Sequence, residues 1–596
     1  MQQTPWITST QFTVVEVAIS IKIYSANSDH VSLRQCAPVS TCCICIVMQF
    51  ICMSCLHIIK IDYPPFCGIG IFLYCHYAFS FLLQIFVQHK MSTVIETGRT
   101  GGVKKVNKHA YMNGTANGMA NGTTNGTTNG TTNGSTPGSA SEAWEKQFLP
   151  PPLQIEDKAR ALKVEARVSD MVLCGATLRR VEEVFSQEIE SGLRELPSSL
   201  QMENTYVPEL PDGTEEGVFL ALDLGGTNFR VLLLELHRGQ LIREEVKQYH
   251  ISDELRLGPG VDLFEFLADC VQDFVREEGL EHQEHSLGFT FSFPMKQHSI
   301  SSGELITWTK SFNCGGMAGV DVAALLQACL RRRNLPVTVQ VLLNDTTGTL
   351  VAGAQIDPDV AIGVIMGTGS NGCYMERADR VVHWEAAHER VRDVCVDIEW
   401  GAFGDNGCLD FLKTEFDREV DDNSLLTASF TFEKYIGGKY LGDLLRAVLA
   451  GLARERLFPA PPAELLSAHL SEFEEENVAG EWRGTAAALR AACGCDVTRE
   501  DALVAQHIAR LISNRAAQLV SVCIATLLRR MERAHTAVAV DGSVFKRHPR
   551  IRSLMEHYIA LLAPEHKFTL LGAEDGSGKG SALTAAIAAR VAARAN

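Results

Sequence analysis

The sequence predicts an α/β protein built as two similar lobes with a cleft between them. Three observations carry this. Residues 218–236 read VFLALDLGGTNFRVLLLEL, two apolar β-rich runs around a Gly-centred turn. Residues 361–376, AIGVIMGTGSNGCYME, repeat the plan with an apolar strand, a Gly-Thr-Gly turn and a second short strand. Each copy is followed by alternating strand and helix patterns, so each half opens on a hairpin and continues as βα units or helices.

The 596 residues have room for more than one domain. The formal net charge is −17, and residues 1–110 carry eight Lys/Arg against four Asp/Glu, so the remainder carries −21. A body this acidic argues against non-specific nucleic-acid binding. It leaves room for a nucleotide, which a few local donors hold. Eight of the 18 cysteines precede residue 91 and the rest are scattered, which fits a reduced, cytosolic body without a disulfide framework.

Residues 1–90 form an apolar, Cys-rich extension. Phe66 to Val87 is uncharged and long enough to span a bilayer, and Cys42 to Ile59 is a poorer candidate. Three readings stay open: an over-extended reading frame, a real anchor on a membrane such as the mitochondrial outer surface, or a buried segment. Residues 91–143 are a low-complexity Asn/Gly/Thr linker whose NGTT repeat cannot build a core. Residues 144–357 and 358–596 are the two expected lobes. The first opens on helical patterning, with Leu178, Val181, Phe185, Ile189 and Leu193 on one face. Strands follow at about 218–222, 229–236, 241–250, 286–291 and 337–343, with helices near 262–278 and 320–333. The second ends in helices that include 502–533.

Both glycine turns suit phosphate. Gly225-Gly226 tolerates positive φ and lets N–H groups approach an anion, while Thr227 and Asn228 add donors. Asp223, at the end of a buried strand, suits a hydrated metal beside that anion. An ordinary hairpin explains the first turn equally well until the second copy is considered. The run Gly367–Gly372 also matches GxGxxG, but a strand pattern follows where that fingerprint needs a helix. The segment Gly572–Gly580 misses the P-loop spacing and lacks its Ser/Thr. Polar clusters end several strands: Ser292-Phe293-Pro294, Trp308-Thr309-Lys310, Asn344-Asp345 and Glu399-Trp400-Gly401. Such side chains pair with the hydroxyls of a sugar, each of which donates and accepts. Lys310 suits charge on a transferred phosphoryl group. The competing reading of Asn344-Asp345 is a plain helix cap.

Taken in order, LALDLGGTNFRV, FTFSFP, WTKSF, LLNDTTGTL, MGTGSNGCYME, EWGAFGD, FEKYIGGKYLG, VDGSVFKRHP and EDGSGKG resemble the hexokinase family, of the compact eukaryotic type with one catalytic unit. The resemblance spans about Leu153 to Ala595. It implies the two-lobed, actin-like ATPase (ribonuclease H-like) fold with a central cleft. It implies a kinase transferring phosphoryl from Mg·ATP to the 6-hydroxyl of a hexose, glucose first among them, the opening step of glycolysis. Asp345 would be the general base. Ser292, Thr309, Lys310, Asn344, Asn371, Glu399 and Glu433 would join it around the sugar. Asp223, Gly225, Gly226, Thr227, Asn228, Arg230, Thr368, Gly369, Gly438, Lys439, Gly542 and Ser543 would hold ATP, with Asp223 reaching Mg²⁺ through water. A cytosolic monomer is expected. Three positions depart from the family pattern: Ser311 and Ala539 stand where it has Gly, and Phe430 where it has a sugar-contacting Gln. A catalytically weak sugar sensor or scaffold on the same fold is the alternative.

Overall fold

The computed structural model describes residues 137–225, 229–382, 384 and 392–595, within a compact unit spanning Gly130–Asn596. Both apolar runs before residue 91, and most of the Asn/Gly/Thr tract, lie outside the described residues. So do Gly226, Thr227 and Asn228 of the first glycine turn. The end of the tract differs from expectation. A helix, Pro137–Lys146, starts inside it, with proline at the first position, where its missing N–H costs nothing.

In chain order the strands are β1 (Glu203–Asn204), β2 (Gly217–Leu224), β3 (Phe229–His237), β4 (Gln240–Tyr249), β5 (His285–Phe291), β6 (Met295–Ser299), β7 (Ser302–Leu305), β8 (Val337–Leu343), β9 (Val360–Met366), β10 (Ser370–Arg377), β11 (Asp393–Asp397), β12 (His535–Asp541) and β13 (Lys567–Gly572). One sheet has the order β4-β3-β2-β5-β8 and the other β1-β11-β10-β9-β12-β13. In the first, β4, β3 and β2 are antiparallel, while β5 and β8 run parallel to β2. In the second, β11, β10 and β9 are antiparallel, while β12 and β13 run parallel to β9. The two halves thus share one topology, a three-stranded meander extended by two parallel strands. Strand β10 follows Gly367–Gly369 directly, so the GxGxxG match opens a strand and not a helix.

Both faces of the central strands are covered, which is why they read as apolar runs without alternation. From Leu220 to Leu224 every residue of β2 is buried. Helices Gly260–Glu277 and Val322–Arg332 pack on one face of the first sheet. The other face receives helix Gly576–Ala595 through Ala582, Leu583, Ala586 and Ile587. Helix Asp345–Ile356 turns Leu350 and Ala354 toward Val360, Ala537 and Ala539 of the second sheet. Each half therefore lends the other the helix that follows its last strand. The two helices cross backbone to backbone: a Cβ on Gly580 would lie 1.9 Å from the carbonyl oxygen of Gly348.

Packing in the described residues does not follow chain order within the expected spans 144–357 and 358–596. Phe148, Val164, Leu178, Phe185, Ile189 and Met202 belong to the core of the second half, and β1 pairs with β11. The C-terminal helix covers the first half. Chain order assigns a helix to its neighbours in sequence, whereas burial assigns it to the apolar face it covers. Helix Arg499–Met531 is long and apolar enough to cross a membrane, yet its apolar window is buried inside the body. In its interior Arg515 pairs with the buried Asp417.

Candidate active site

The polar clusters converge on one cavity of ≈ 590 Å³ of atom-free space, part of it open to solvent. Ser292, Phe293, Thr309 and Lys310 line it from the first half. Asn344 and Asp345 come from the crossing helix. Thr368, Gly369, Ser370, Asn371, Glu399, Gly401, Phe430 and Glu433 come from the second half. All eight residues assigned to the sugar are thus brought together.

Asp345 opens helix Asp345–Ile356, and Asn344 caps it. Asn344 Oδ1 accepts from the backbone N–H of Thr346 at 2.9 Å and from its hydroxyl at 2.8 Å. The cap reading therefore belongs to Asn344, and the Asp345 carboxylate borders the cavity. Lys310 Nζ stands 4.0 Å from Asp345 Oδ2 and donates to the Ser292 carbonyl at 2.8 Å. Burial raises the pKa of Asp345 above the ordinary carboxyl range, while the Lys310 charge and the Ser292 hydroxyl pull it back. A buried carboxyl with a raised pKa beside a fixed ammonium is the environment of a general base.

The far wall is tied together by amides and carboxyls. Asn344 Nδ2 donates to Glu399 Oε1 at 3.2 Å. Asn371 Oδ1 accepts from the backbone N–H of Trp400 at 3.2 Å, so the Asn371 side chain is fixed to the turn that carries Glu399. That turn needs Glu399 at φ 53°, a left-handed conformation. Glu433 Oε2 accepts from the Ser370 N–H at 3.0 Å, and a Cβ on Gly369 would lie 2.2 Å from that same oxygen. A side chain there would push the Glu433 carboxyl aside. Burial also raises the pKa of Glu433 and drives that of Glu399 well above its ordinary value.

Phe430 lines the cavity, at φ 56°, with its ring 3.3 Å from where a Cβ on Gly401 would sit. The Asp405 carboxylate holds the Phe430 and Thr431 N–H groups at 2.9 and 2.8 Å. Ala539, a second of the three departures, is buried in β12. Its methyl fits because helix residue Gly353 faces it, leaving no room for a second side chain: a Cβ on Gly353 would lie 2.4 Å from Ala539 Cβ.

Beside the cavity lies a second cluster. Asp223, at the end of β2, faces Arg230 across the hairpin. Arg230 pairs with both Asp223 and Asp575, and the Ser577 hydroxyl donates to Asp223 Oδ2 at 2.9 Å. Asp541, at the end of β12, accepts from the Gly576 N–H at 2.8 Å. Gly542 sits at φ 113°, where an added Cβ would lie 2.3 Å from the Met366 carbonyl oxygen, and it precedes the short helix that starts at Ser543. Gly438 and Lys439 donate their N–H groups to the carbonyls of Gly367 and Thr368 at 2.8 and 2.9 Å. Lys439 Nζ donates to the Lys310 carbonyl at 2.8 Å, which joins the two clusters. Among the described residues no three His, Cys, Asp or Glu side chains form a group able to hold a metal ion. A metal carried on the phosphates of a nucleotide, with one or two carboxylates nearby, needs no such group.

Asp541, Asp575 and Ser577 lie in motifs legible in the sequence but carried no assigned role there, and Asp397 carried none either. Asp541 follows Val540 at a strand end as Asp223 follows Leu222, and that parallel was the available signal.

Hexokinase family models match residues 163–355 and 361–587. Hexokinase-1 of Mus musculus is 38% identical over 449 residues, covering 72% of this chain and 46% of that protein. Hexokinase-3 of Homo sapiens is 40% identical over 430 residues, covering 70% and 46%. The chain therefore spans about half the length of these curated relatives. A solved hexokinase from Schistosoma mansoni, complexed with glucose, aligns at TM-score 0.67 and 36% identity, over 73% of this chain and 100% of that one. A second hexokinase crystal structure gives 0.62 and 30%, over 72% and 100%. The doubled sheets and crossed helices are thus the two-lobed, actin-like ATPase fold, and with similarity running through both halves and the whole of two solved relatives, the chain belongs to the hexokinase family.

Proposed function

We propose that this chain phosphorylates hexoses at the 6-hydroxyl, with Mg·ATP as donor. The observation that carries the reading is the Asp345 carboxylate, relieved of capping by Asn344 and held 4.0 Å from Lys310 Nζ at the rim of a polar cavity. Asp345 takes the hydroxyl proton as the O–P bond forms and the bond from phosphorus to the bridging oxygen of ADP breaks. Lys310 offsets charge on the phosphoryl oxygens. Ser292, Thr309, Asn344, Asn371, Glu399 and Glu433 hold the hydroxyls, and their carboxyls and amides both fit and orient a polyol. Glucose is the first candidate, since the Schistosoma mansoni relative was solved as a glucose complex.

The second cluster is proposed as the nucleotide end. Gly225, Thr368, Gly369, Lys439 and Ser543 supply backbone and side-chain donors for phosphates, while Gly438 and Gly542, whose N–H groups bond to the Gly367 carbonyl and the Asp541 carboxylate, shape the turns beside them. Asp223 and Asp541 are the carboxylates available to a hydrated Mg²⁺, which supplies charge neutralisation on the phosphates. Arg230 bridges Asp223 to Asp575 and fixes the first of these carboxylates.

A coupled assay of the purified full chain with glucose, fructose and mannose plus Mg·ATP tests the reading. Turnover is expected with at least glucose. Hexose binding without turnover would assign the chain to the sensor class, and neither binding nor turnover would end the sugar reading.

A further inference from the structure

We propose that Asp397 is a positioning residue for the hexose pocket: buried behind its wall, it accepts from Asn371 Nδ2 and the Thr346 hydroxyl and so sets how the Asn371 and Asn344 amides meet the sugar. The inference rests on the hexose-kinase reading above.

Asp397 ends β11 and does not line the cavity. Its Oδ1 accepts from Asn371 Nδ2 at 2.8 Å and from the Thr346 hydroxyl at 3.3 Å. Asn371 Nδ2 also reaches Asn344 Oδ1 at 3.4 Å, and Asn344 Nδ2 donates to Glu399 Oε1. One buried carboxyl therefore sets the orientation of two amides that face the pocket. With Nδ2 committed to Asp397, Asn371 Oδ1 must take the N–H groups of Gly372 and Trp400, as it does.

The surroundings are poor in cations. Glu203 on β1 lies opposite Asp397 in register. Asp345 approaches from the crossing helix and Glu399 from two residues on. The buried thiols of Cys373 and Cys395 are neighbours from β10 and β11. Lys310 faces Glu399, and Lys296 faces Glu203. Burial raises Asp397 to about 7, with the Asp345 charge adding to it. Burial, with the Asp397 charge, raises Glu203 to about 7. Glu399 is driven further up by burial and by both aspartates.

The test is glucose binding to the full chain without nucleotide, followed by intrinsic fluorescence, with steady-state kcat and KM measured beside it. Asp397→Asn keeps an acceptor for Asn371 and should bind glucose within ~3-fold of the parent. Asp397→Ala leaves Asn371 Nδ2 without its acceptor and should bind glucose at least ~5-fold more weakly, with the KM for ATP near parental. A folded Asp397→Ala with parental glucose affinity overturns the positioning role. A folded Asp397→Asn that binds as weakly as Asp397→Ala also overturns it, since restoring the acceptor then restores nothing. A parent that binds none of glucose, fructose and mannose removes the kinase reading itself, a result distinct from parental glucose affinity in Asp397→Ala.

Discussion

Asn344 Oδ1 accepts two hydrogen bonds from Thr346, from its backbone N–H at 2.9 Å and its hydroxyl at 2.8 Å. A short polar side chain before the first helical residue normally does this, and its loss costs ~1 kcal/mol. Here the arrangement also separates two jobs that adjacent residues would otherwise compete for. Asn344 satisfies the helix, and Asp345 borders the cavity within reach of Lys310.

Gly369→Ala should damage sugar binding more than stability. The new methyl would lie 2.2 Å from Glu433 Oε2, the oxygen that accepts from the Ser370 N–H. Glu433 must swing away from the cavity and give up that bond. A rise of at least ~10-fold in glucose KM is expected, from a lost charge-assisted hydrogen bond. An unchanged KM in a folded variant would show that Glu433 contributes nothing to the sugar.

Phe430→Gln should lower the glucose KM with little effect on ATP. Phe430 presents a ring to an otherwise polar cavity, and a wall that hydrogen-bonds a hydroxyl discriminates better than an apolar one. The substituted residue keeps φ 56°, a strain already borne by phenylalanine. Steady-state kinetics with glucose and 2-deoxyglucose measure it. Equal KM values for parent and variant on both sugars would contradict the prediction.

His548 should make the fold acid-sensitive. Its Nδ1 accepts from the Arg550 and Ile551 N–H groups at 3.2 Å each. Its Nε2 must then carry the proton donated to Ser513 Oγ at 2.9 Å. Burial, with Arg550 adding to it, lowers the pKa to about 4. The unfolded histidine takes a proton near ~6.5 while the folded one does not, so stability is complete above ~6.5 and falls as pH drops toward the folded value. Between about pH 7 and about pH 5 the loss should be about 1–2 kcal/mol. Asp397 and Glu203, whose pKa values are raised, act in the opposite sense over the same range. The difference between parent and His548→Gln therefore isolates the histidine. Denaturant melts at the two pH values should show a smaller loss for the variant, and equal losses would contradict it.

The doubled hairpin was legible because Gly225-Gly226 and Gly367–Gly369 each interrupt an apolar run with residues suited only to a turn. Much of the proposed sugar wall was legible because Ser292, Asn344-Asp345 and Glu399 follow strand ends, whereas Thr309-Lys310 lies in the loop beyond β7 and Glu433 on a short helix. The helix exchange was not. Gly348 and Gly580 acquire meaning only once their backbones meet, and no local pattern says which sheet a helix will cover. Asp397 was hidden for a different reason. It sits between Val396 and Ile398 in a run read as an apolar strand, and a lone carboxyl there is visible as a site only when Asn371 and Thr346 are seen to donate to it.

The most direct test of the account is kcat for Asp345→Asn. The substitution keeps shape and leaves the Asn344 cap in place, but the amide cannot take a proton from the hexose hydroxyl. A positioned general base contributes roughly 10²–10⁴-fold. A folded variant should therefore lose at least ~10²-fold in kcat while ATP affinity stays near parental. A folded Asp345→Asn protein turning over glucose within a few-fold of the parent would contradict the assignment of Asp345 as base, and with it the proposed mechanism.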